Sequence, residues 1–214
     1  MIKPSVLVIE AGLGNIGSVV AAFMRHDCRI DRARKPPALS DSNTYTHVVL
    51  PGVGSFSAGM EALVGLSWDS WITDFWFTYN RPLLGICLGM QLLASEGSEG
   101  SAVGNTTQGL DLIPGQVSLI PSANRIILPH VGWNDIHWSD QQTPLSQNIP
   151  SGGDMYFVHS YAFQPTDSSH CLATSHYGSD FASVVGRGNC YGVQFHPEKS
   201  QRLGKRMISN FLAL

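Results

Sequence analysis

Two short segments of the chain carry residue types that could do nucleophilic chemistry. Residues 85–89 read GICLG and place Cys87 between two glycines, the Gly-x-nucleophile-x-Gly form of a sharp strand-to-helix turn. Residues 192–198 read GVQFHPE and place His196 two positions before Glu198. A cysteine, a histidine that takes its proton and a carboxylate that orients the histidine form a nucleophilic triad. The combination predicts acyl transfer through a thioester on Cys87.

The turn around Cys87 is expected to favour the thiolate. A helix is predicted over residues 88–94, and the unsatisfied backbone N–H groups at a helix N-terminus stabilise a negative charge. The N–H group of Leu88 would then point toward the oxygen that becomes negative when a carbonyl is attacked. Gly85 and Gly89 permit the close backbone approach that the turn needs. For this motif alone, a buried structural cysteine is the alternative interpretation.

The segment around His196 supplies the base and the group that orients it. Side chains two positions apart in an extended segment project to the same side, and Pro197 biases His196 toward an extended backbone. Glu198 can therefore reach one imidazole nitrogen while the other nitrogen faces the thiol. A surface His and Glu on an edge loop is the alternative, which the nucleophile turn argues against.

A second oxyanion donor is predicted in residues 51–55, PGVGS, which follow a strand ending at Leu50. Its two glycines allow a peptide to reorient, so that the N–H of Val53 could turn toward the substrate oxygen. The alternative is an ordinary strand-to-helix loop.

The elements that must position these residues alternate between strand and helix in the first half and are mostly β-like in the second. The predicted strands cover residues 5–9, 46–50, 83–86, 116–120, 155–158, 171–175, 182–186 and 191–195. The predicted helices cover residues 15–25, 56–63, 68–78, 88–94 and 200–212, the last with Ser200 as N-cap. We expect one three-layer α/β domain over residues 1–214, an open, mostly parallel sheet flanked by helices, with added antiparallel strands. Cys87 and His196 both follow a strand and should meet at the carboxyl rim of the sheet.

The composition favours a globular protein and gives no sign of a nucleic-acid or membrane partner. The 214 residues are 43% hydrophobic and 14% charged, with a net charge of −3, which suits a globular fold. The longest basic run, residues 32–35, is interpreted as a solvated loop, so a nucleic-acid partner is not expected. No apolar stretch approaches the ~20 residues of a membrane span, and no signal peptide is recognised. The four cysteines lack metal spacing and are interpreted as reduced thiols, and the three outside the motif, Cys28, Cys171 and Cys190, are expected to be buried. We predict a cytoplasmic protein without metal or cofactor.

Residues 12–17, GLGNIG, match the G-x-G-x-x-G pattern of dinucleotide sites, with Asp31 at a plausible distance for a ribose. A dinucleotide-binding module is therefore an alternative, but lone glycine fingerprints are weak. A tight turn that exposes Asn15 is the preferred interpretation.

The chain resembles class I glutamine amidotransferases, and among them the glutaminase subunits of imidazole glycerol phosphate synthase. The resemblance rests on residues 12–19, 50–56, 84–93, 110–115, 129–134, 156–161 and 192–200. It implies hydrolysis of glutamine to glutamate and ammonia through a γ-glutamyl thioester on Cys87. It also implies a heterodimer with a (β/α)8-barrel synthase subunit, which uses the ammonia to make imidazole glycerol phosphate and AICAR in histidine biosynthesis.

The resemblance also implies roles for individual residues. Gly52 and Val53 match the oxyanion loop. The positions that match the glutamine site are Gln91, Glu99, Tyr156, Ser160 and Tyr161. The positions that match the partner-facing surface are Asn15, Trp133, Asn134 and Lys199.

The chain departs from many relatives at Glu10 and Ala11, where they carry Asp-Tyr, and in residues 97–108 and 137–151. These differences leave two alternatives open. One is a paralogous glutaminase that supplies ammonia for amidation of a surface-polysaccharide sugar, and the other is a stand-alone cysteine hydrolase. The glycines Gly52 and Gly54 further suggest that the oxyanion donor swings into place only when a partner docks.

Overall fold

The computed structural model describes residues 3–14, 16–121, 126–140 and 143–214. Within these ranges the chain forms five α-helices: α1 (Gly17–Phe23), α2 (Phe56–Gly65), α3 (Trp68–Tyr79), α4 (Leu88–Gln91) and α5 (Gln201–Phe211). The first strands are β1 (Ser5–Ile9), β2 (Arg29–Ala33), β3 (His47–Gly52), β4 (Leu83–Cys87), β5 (Glu96–Gly97), β6 (Thr107–Gln108) and β7 (Gly115–Leu119). The remaining strands are β8 (His130–Trp138), β9 (Gly153–His159), β10 (Tyr161–Pro165), β11 (Cys171–Tyr177), β12 (Ser179–Arg187) and β13 (Cys190–Val193).

The main sheet has nine strands in the order β2-β1-β3-β4-β13-β12-β11-β8-β9. Its first five strands run parallel, and the strands from β13 to β9 pair antiparallel. A smaller sheet of four strands has the order β10-β7-β5-β6. The α/β sheet with flanking helices and added antiparallel strands is thus confirmed, with an antiparallel part as large as the parallel one.

Two apolar cores lie on opposite faces of the main sheet. Alternate residues of a strand point to opposite faces. Val6 and Val8 accordingly belong to the core that α1 and α5 cover, whereas Leu7 and Ile9 belong to the core with residues of α2, α3 and α4. Strands covered on both faces become continuous apolar runs, as in β1. The sheet is therefore the middle of three layers, as predicted.

Helix α3 is fixed by an aromatic stripe. Trp68, Trp71 and Phe75 are buried at helical spacing. The ring centroids lie 5.3 Å apart for Trp68 and Trp71, and 4.9 Å apart for Trp71 and Phe75. Such ring pairs add to the burial of apolar area and hold the helix against the sheet. Across the described ranges, no helix is both long enough and apolar enough to cross a bilayer.

Some predicted boundaries are wrong. Helix α4 ends at Gln91 instead of residue 94, because the N–H groups of Leu93 and Ala94 bond three residues back, to Met90 and Gln91, in tight turns. Strand β2 was not predicted, and it contains Arg32, which the sequence placed in a loop. Its charged residues are tolerated since β2 is an edge strand.

The structure differs from the sequence-based expectations at one further strand and at two cysteines. Strand β8 was not predicted, because its Gly, Asn and Asp residues are depleted in strands. The three cysteines outside the motif were expected to be buried, but Cys28 and Cys171 are only half-buried. All four cysteines are free.

Close backbone packing at Gly85 and Gly89 holds the turn that ends β4. A Cβ atom on Gly89 would overlap the carbonyl oxygen of Leu50 in β3, and one on Gly85 would overlap the carbonyl oxygen of Gly89. Neither glycine has a positive φ, so both are required for space and not for backbone conformation. The first turn of α4 can therefore lie directly against the ends of β3 and β4.

We expect Gly89→Ala to destabilise the protein by at least about 2 kcal/mol, since backbone atoms must move to admit the methyl group. Denaturant unfolding followed by circular dichroism measures this. Gly65→Ala is the matched control, because a Cβ atom there meets nothing within 4 Å. Equal stability of the two variants would contradict the packing argument.

Candidate active site

A cleft of about 470 Å³ opens at the carboxyl rim of the parallel strands. Strands β4 and β13 are parallel neighbours, so Cys87 at the end of β4 and His196 shortly after β13 reach the same edge. The lining consists of Val53, Gly54, Ser55, Cys87, Leu88, Gln91, Glu99, Pro129, Val158, His159, Ser160, Tyr161, His196 and Lys199. The structure thus brings together most of the sequence-predicted site residues.

Cys87 occupies a strained turn. Its φ of 54° and ψ of −109° form a combination that side-chain-bearing residues rarely adopt. The glycine packing described above holds this conformation, which presents the side chain to the cleft and puts Leu88 in the first turn of α4. Because α4 has only four residues, it contributes little helix dipole at this turn.

Cys87 as a residue is 7% exposed, and its thiol lies among polar atoms. Its Sγ lies 3.7 Å from the carbonyl oxygen of Val158, which can accept the thiol proton. It also lies 3.8 Å from Nε2 of Gln194, which can donate to the sulfur. His196 lines the same cleft, close enough for the thiol to influence the charge on the imidazole.

His196 is paired with Glu198 as the motif predicts. The Nδ1 atom lies 2.9 Å from Oε1 of Glu198, and both side chains are almost fully buried. Burial opposes the charge on His196, but hydrogen bonds to Cys87 and Glu198 and the charges of both groups outweigh it and raise the pKa of the imidazole to about 9. The imidazole therefore carries a proton at neutral pH, ready for a leaving group.

Backbone bonds fix the position of His196. Its N–H donates to the carbonyl oxygen of Tyr156 at 2.9 Å. The hydroxyl of Ser200 donates to the carbonyl oxygen of His196 at 2.6 Å and accepts from the N–H of Tyr156 at 3.0 Å. Ser200 stands at the start of α5 as predicted, but its side chain makes no capping bond there. Its role beside the histidine was missed, since nothing in the sequence links Ser200 to Tyr156.

Of the two predicted oxyanion donors, Leu88 lies in the first turn of α4, whereas the N–H of Val53 is bonded to another loop. Gly52 lies beside Cys87 in the register of β3 and β4, and Leu88 begins α4. The N–H of Val53, however, donates to the carbonyl oxygen of Leu13 at 3.1 Å. The peptide between Gly52 and Val53 must rotate before this N–H can face a substrate oxygen. Such a rotation changes ψ of Gly52 and φ of Val53, and Gly52 has no side chain that would oppose it.

Gln91 and Glu99 give the cleft its polar groups. Nε2 of Gln91 donates to the carbonyl oxygen of Tyr161 and to Oε1 of Gln194, both at 3.0 Å. With both protons used, its Oε1 is left to accept from a ligand. Burial raises the pKa of Glu99, although a hydrogen bond with the backbone of Phe56 opposes the shift. Ser160 and Tyr161 also line the cleft.

Tyr156, Trp133 and Lys199 form a cluster at the mouth of the cleft. The rings of Trp133 and Tyr156 are 5.8 Å apart and perpendicular, and Nζ of Lys199 lies 5.7 Å from the ring of Tyr156. Tyr156 is not part of the cleft lining, whereas Lys199 is. Trp133 is 49% exposed.

Asn134 donates to the carbonyl oxygen of His176 at 2.9 Å. Asn15 lies outside the described residues.

A buried pair of histidines, of which His159 lines the cleft, was also missed. Nδ1 of His130 lies 3.0 Å from Nε2 of His159, whose Nδ1 lies 2.8 Å from the carbonyl oxygen of Tyr161. That carbonyl can only accept, so His159 donates from Nδ1 and accepts from His130. Burial lowers the pKa of both histidines to about 4, which keeps them neutral near pH 7. They support the backbone of Tyr161 in the cleft wall.

In the glycine-rich loop, Leu13 and Gly14 contact Val53. Leu13 holds the N–H of Val53, and a Cβ atom on Gly14 would overlap the side chain of Val53. Asp31 lies in β2 and pairs with Arg29 at 2.7 Å. These contacts give the loop a role that needs no dinucleotide. Among the described residues, no group of three or more His, Cys, Asp or Glu side chains could hold a metal ion.

Comparison of the chain with known protein families agrees with this geometry. The model of the family "Glutamine amidotransferase class-I" matches residues 7–214. The chain belongs to the class I glutamine amidotransferase family, which confirms the resemblance seen in the motifs.

The chain is similar to the imidazole glycerol phosphate synthase subunit HisH 1 of Prochlorococcus marinus, at 59% identity over 98% of this chain and 97% of that protein. It is 38% identical to the corresponding subunit HisH of Moorella thermoacetica, over 96% and 93% of the two chains. Among solved structures, PurLQS from Thermotoga maritima matches with a TM-score of 0.72 at 17% identity, covering 99% of each chain, which shows a shared fold.

The charge on His196 can be tested by titration. We expect its imidazole signals, followed by NMR, to titrate near pH 9, in line with its raised pKa. Removing the negative charge by Glu198→Gln should lower the midpoint by about 1 unit or more. Asp180→Asn, which removes the carboxylate partner of the exposed His176, is the control and should leave His196 unchanged. A midpoint near 6.5 in the unmodified protein would contradict the ion pair.

Proposed function

We propose that this chain is the glutaminase subunit of an imidazole glycerol phosphate synthase and acts in histidine biosynthesis. The observation that carries the proposal is the strained Cys87 beside the buried pair of His196 and Glu198, in one cleft. The 59% identity to a subunit of that synthase, over nearly the whole chain, supports the assignment of the pathway.

The reaction follows from the groups at the rim. The Cys87 thiolate attacks the γ-carbonyl carbon of glutamine, and the carbonyl oxygen becomes an oxyanion next to the N–H of Leu88. The protonated His196 then gives its proton to the amide nitrogen, so that the C–N bond breaks, ammonia leaves and a γ-glutamyl thioester remains. Neutral His196 next takes a proton from water, which attacks the thioester. Glutamate is released, and Cys87 and His196 return to their starting forms.

The cleft offers complementary groups to the amino-acid end of glutamine. Glu99 supplies a carboxylate for the α-ammonium group, and Oε1 of Gln91 can accept a further hydrogen bond from it. Ser160 and Tyr161 border the same space. Tyr156 belongs to this set through the resemblance, and its place beside Lys199 suggests an action at the mouth of the cleft.

We assign the partner-facing surface to Trp133, Asn134 and Lys199, together with Asn15. The exposure of Trp133 next to the cleft mouth supports this, because large aromatic side chains are frequent interface anchors. The partner would be a (β/α)8-barrel cyclase subunit that forms a heterodimer with this chain in the cytoplasm and receives ammonia from the cleft. The names of the relatives, as subunits of a synthase, support a partnered enzyme.

Complementation tests the proposed function. A histidine auxotroph that lacks its own glutaminase subunit should grow without histidine when it expresses this chain with the barrel subunit of the same genome. Cys87→Ala should abolish growth because the nucleophile is lost, and Cys28→Ala is the control thiol substitution. Ammonia release without complementation would favour the sugar-amidation alternative. Release that persists at full rate in Cys87→Ala would remove Cys87 from the mechanism.

Because the N–H of Val53 is bonded to Leu13, we predict that the partner controls the rate of glutamine hydrolysis. Loss of one oxyanion donor costs on the order of a hundredfold or more in turnover. We therefore expect glutamate formation by the isolated chain to rise by about that factor when the barrel subunit is added, because docking turns the peptide between Gly52 and Val53. Enzyme-coupled glutamate detection measures both rates. Equal rates with and without the barrel subunit would contradict this gating.

A further inference from the structure

A fully buried glutamine lies between the nucleophile and the substrate-facing amide. Gln194 has no exposed surface, and it follows β13 at the position that continues the register of Val193 with Ile86. The next position along β4 is Cys87, so the parallel pairing itself puts the two side chains next to each other. Nε2 of Gln194 lies 3.8 Å from Sγ of Cys87, and its Oε1 lies 3.0 Å from Nε2 of Gln91.

The surrounding acceptors determine which way the Gln194 amide points. Nε2 of Gln91 also contacts the carbonyl oxygen of Tyr161, an atom that can only accept. Gln91 must therefore present its NH2 group to both neighbours, and Gln194 must present its oxygen to Gln91. This leaves the NH2 group of Gln194 facing the sulfur.

Besides the charged His196, two contacts act on the thiol, and they do so in opposite directions. The carbonyl oxygen of Val158, 3.7 Å away, accepts from a neutral S–H and would repel a thiolate. A thiolate is a better acceptor than a thiol, so the N–H of Gln194 favours the charged form. A hydrogen bond to a charged group in a buried site is stronger than one between neutral groups.

We propose that Gln194 is a positioning residue, which holds the Cys87 sulfur as a thiolate directed into the cleft and keeps Gln91 turned so that its Oε1 meets the substrate. This inference rests on the proposed glutaminase function. It explains why an amide is tolerated at a position with no access to water. Each side of the amide has a partner in the site, and replacing it by an apolar group leaves the NH2 group of Gln91 with one acceptor fewer.

The experiment compares the pH dependence of Cys87 alkylation by iodoacetamide in unmodified protein, Gln194→Met and Gln194→Glu. Mass spectrometry of the peptide that contains Cys87 isolates its reaction. Burial raises the pKa of Cys28, Cys171 and Cys190, which slows their reaction at neutral pH. Gln194→Met keeps the length of the side chain but removes the donor. Gln194→Glu replaces the donor with an acceptor beside the sulfur.

We expect Gln194→Met to react about tenfold more slowly at pH 7, with its profile displaced to higher pH, and Gln194→Glu to be displaced further. Turnover of glutamine with the partner present should fall by a similar factor in Gln194→Met, and KM should rise because Gln91 is no longer held. Ser183→Ala is the matched control. Its side chain is also fully buried, on the neighbouring β12, and its backbone oxygen accepts from the N–H of Gln194 at 2.9 Å.

A folded Gln194→Met variant with an unchanged alkylation profile would overturn the proposal, even if its turnover were lower, because a purely structural residue would leave the thiol unaffected. If the variants fail to fold, NMR on the unmodified protein tests the proposal instead. The signal to follow is that of the side-chain amide of Gln194, recorded as the pH is changed. It should shift with the same midpoint as the alkylation profile, and a signal that does not change would contradict the inference. A reactive Cys87 without ammonia release in the complex would count against the proposed function and not against Gln194.

Discussion

The close approach of three backbone segments around Gly89 is the constraint on which the site depends. Cys87 keeps a φ of 54° only because the first turn of α4 is pressed against the carbonyl oxygen of Leu50 and against Gly85, where side chains have no room. A strained residue persists where its surroundings determine it more strongly than its own preference does. The same contact ties the nucleophile to β3, so that the oxyanion segment beginning at Gly52 is placed by the same packing.

Around this turn, the neighbours of each buried histidine determine whether it carries a charge. His196 is buried with its carboxylate partner and stays protonated, while His130 and His159 are buried without one and stay neutral. The contrast follows from the neighbours, because burial opposes charge on all three rings. The buried amides of Gln91 and Gln194 complete a network in which donors and acceptors are matched from the cleft wall to the sulfur.

The sequence was sufficient for those parts of the fold and site that local rules determine. Apolar runs such as β1 and β4 and the glycine-flanked Cys87 follow from residue types and short spacings. Strand β2 could not be predicted, since its charged residues are acceptable only at a sheet edge, and β8 starts in a motif rich in poor strand formers. The roles of Ser200, His159 and Gln194 depend on contacts between distant segments, and the bond from Val53 to Leu13 depends on the orientation of one peptide, for which the residue pattern carries no signal.

The hydrogen bond between Val53 and Leu13 has a consequence for the supply of nitrogen in the cell. A glutaminase that was fully assembled on its own would degrade a metabolite that many pathways share. If the N–H of Val53, which a neighbouring loop holds, is the second oxyanion donor as proposed, a surplus copy of this chain would leave the glutamine pool nearly intact. Unequal synthesis of the two subunits would then waste protein but not the amide nitrogen that protein synthesis and nucleotide synthesis require.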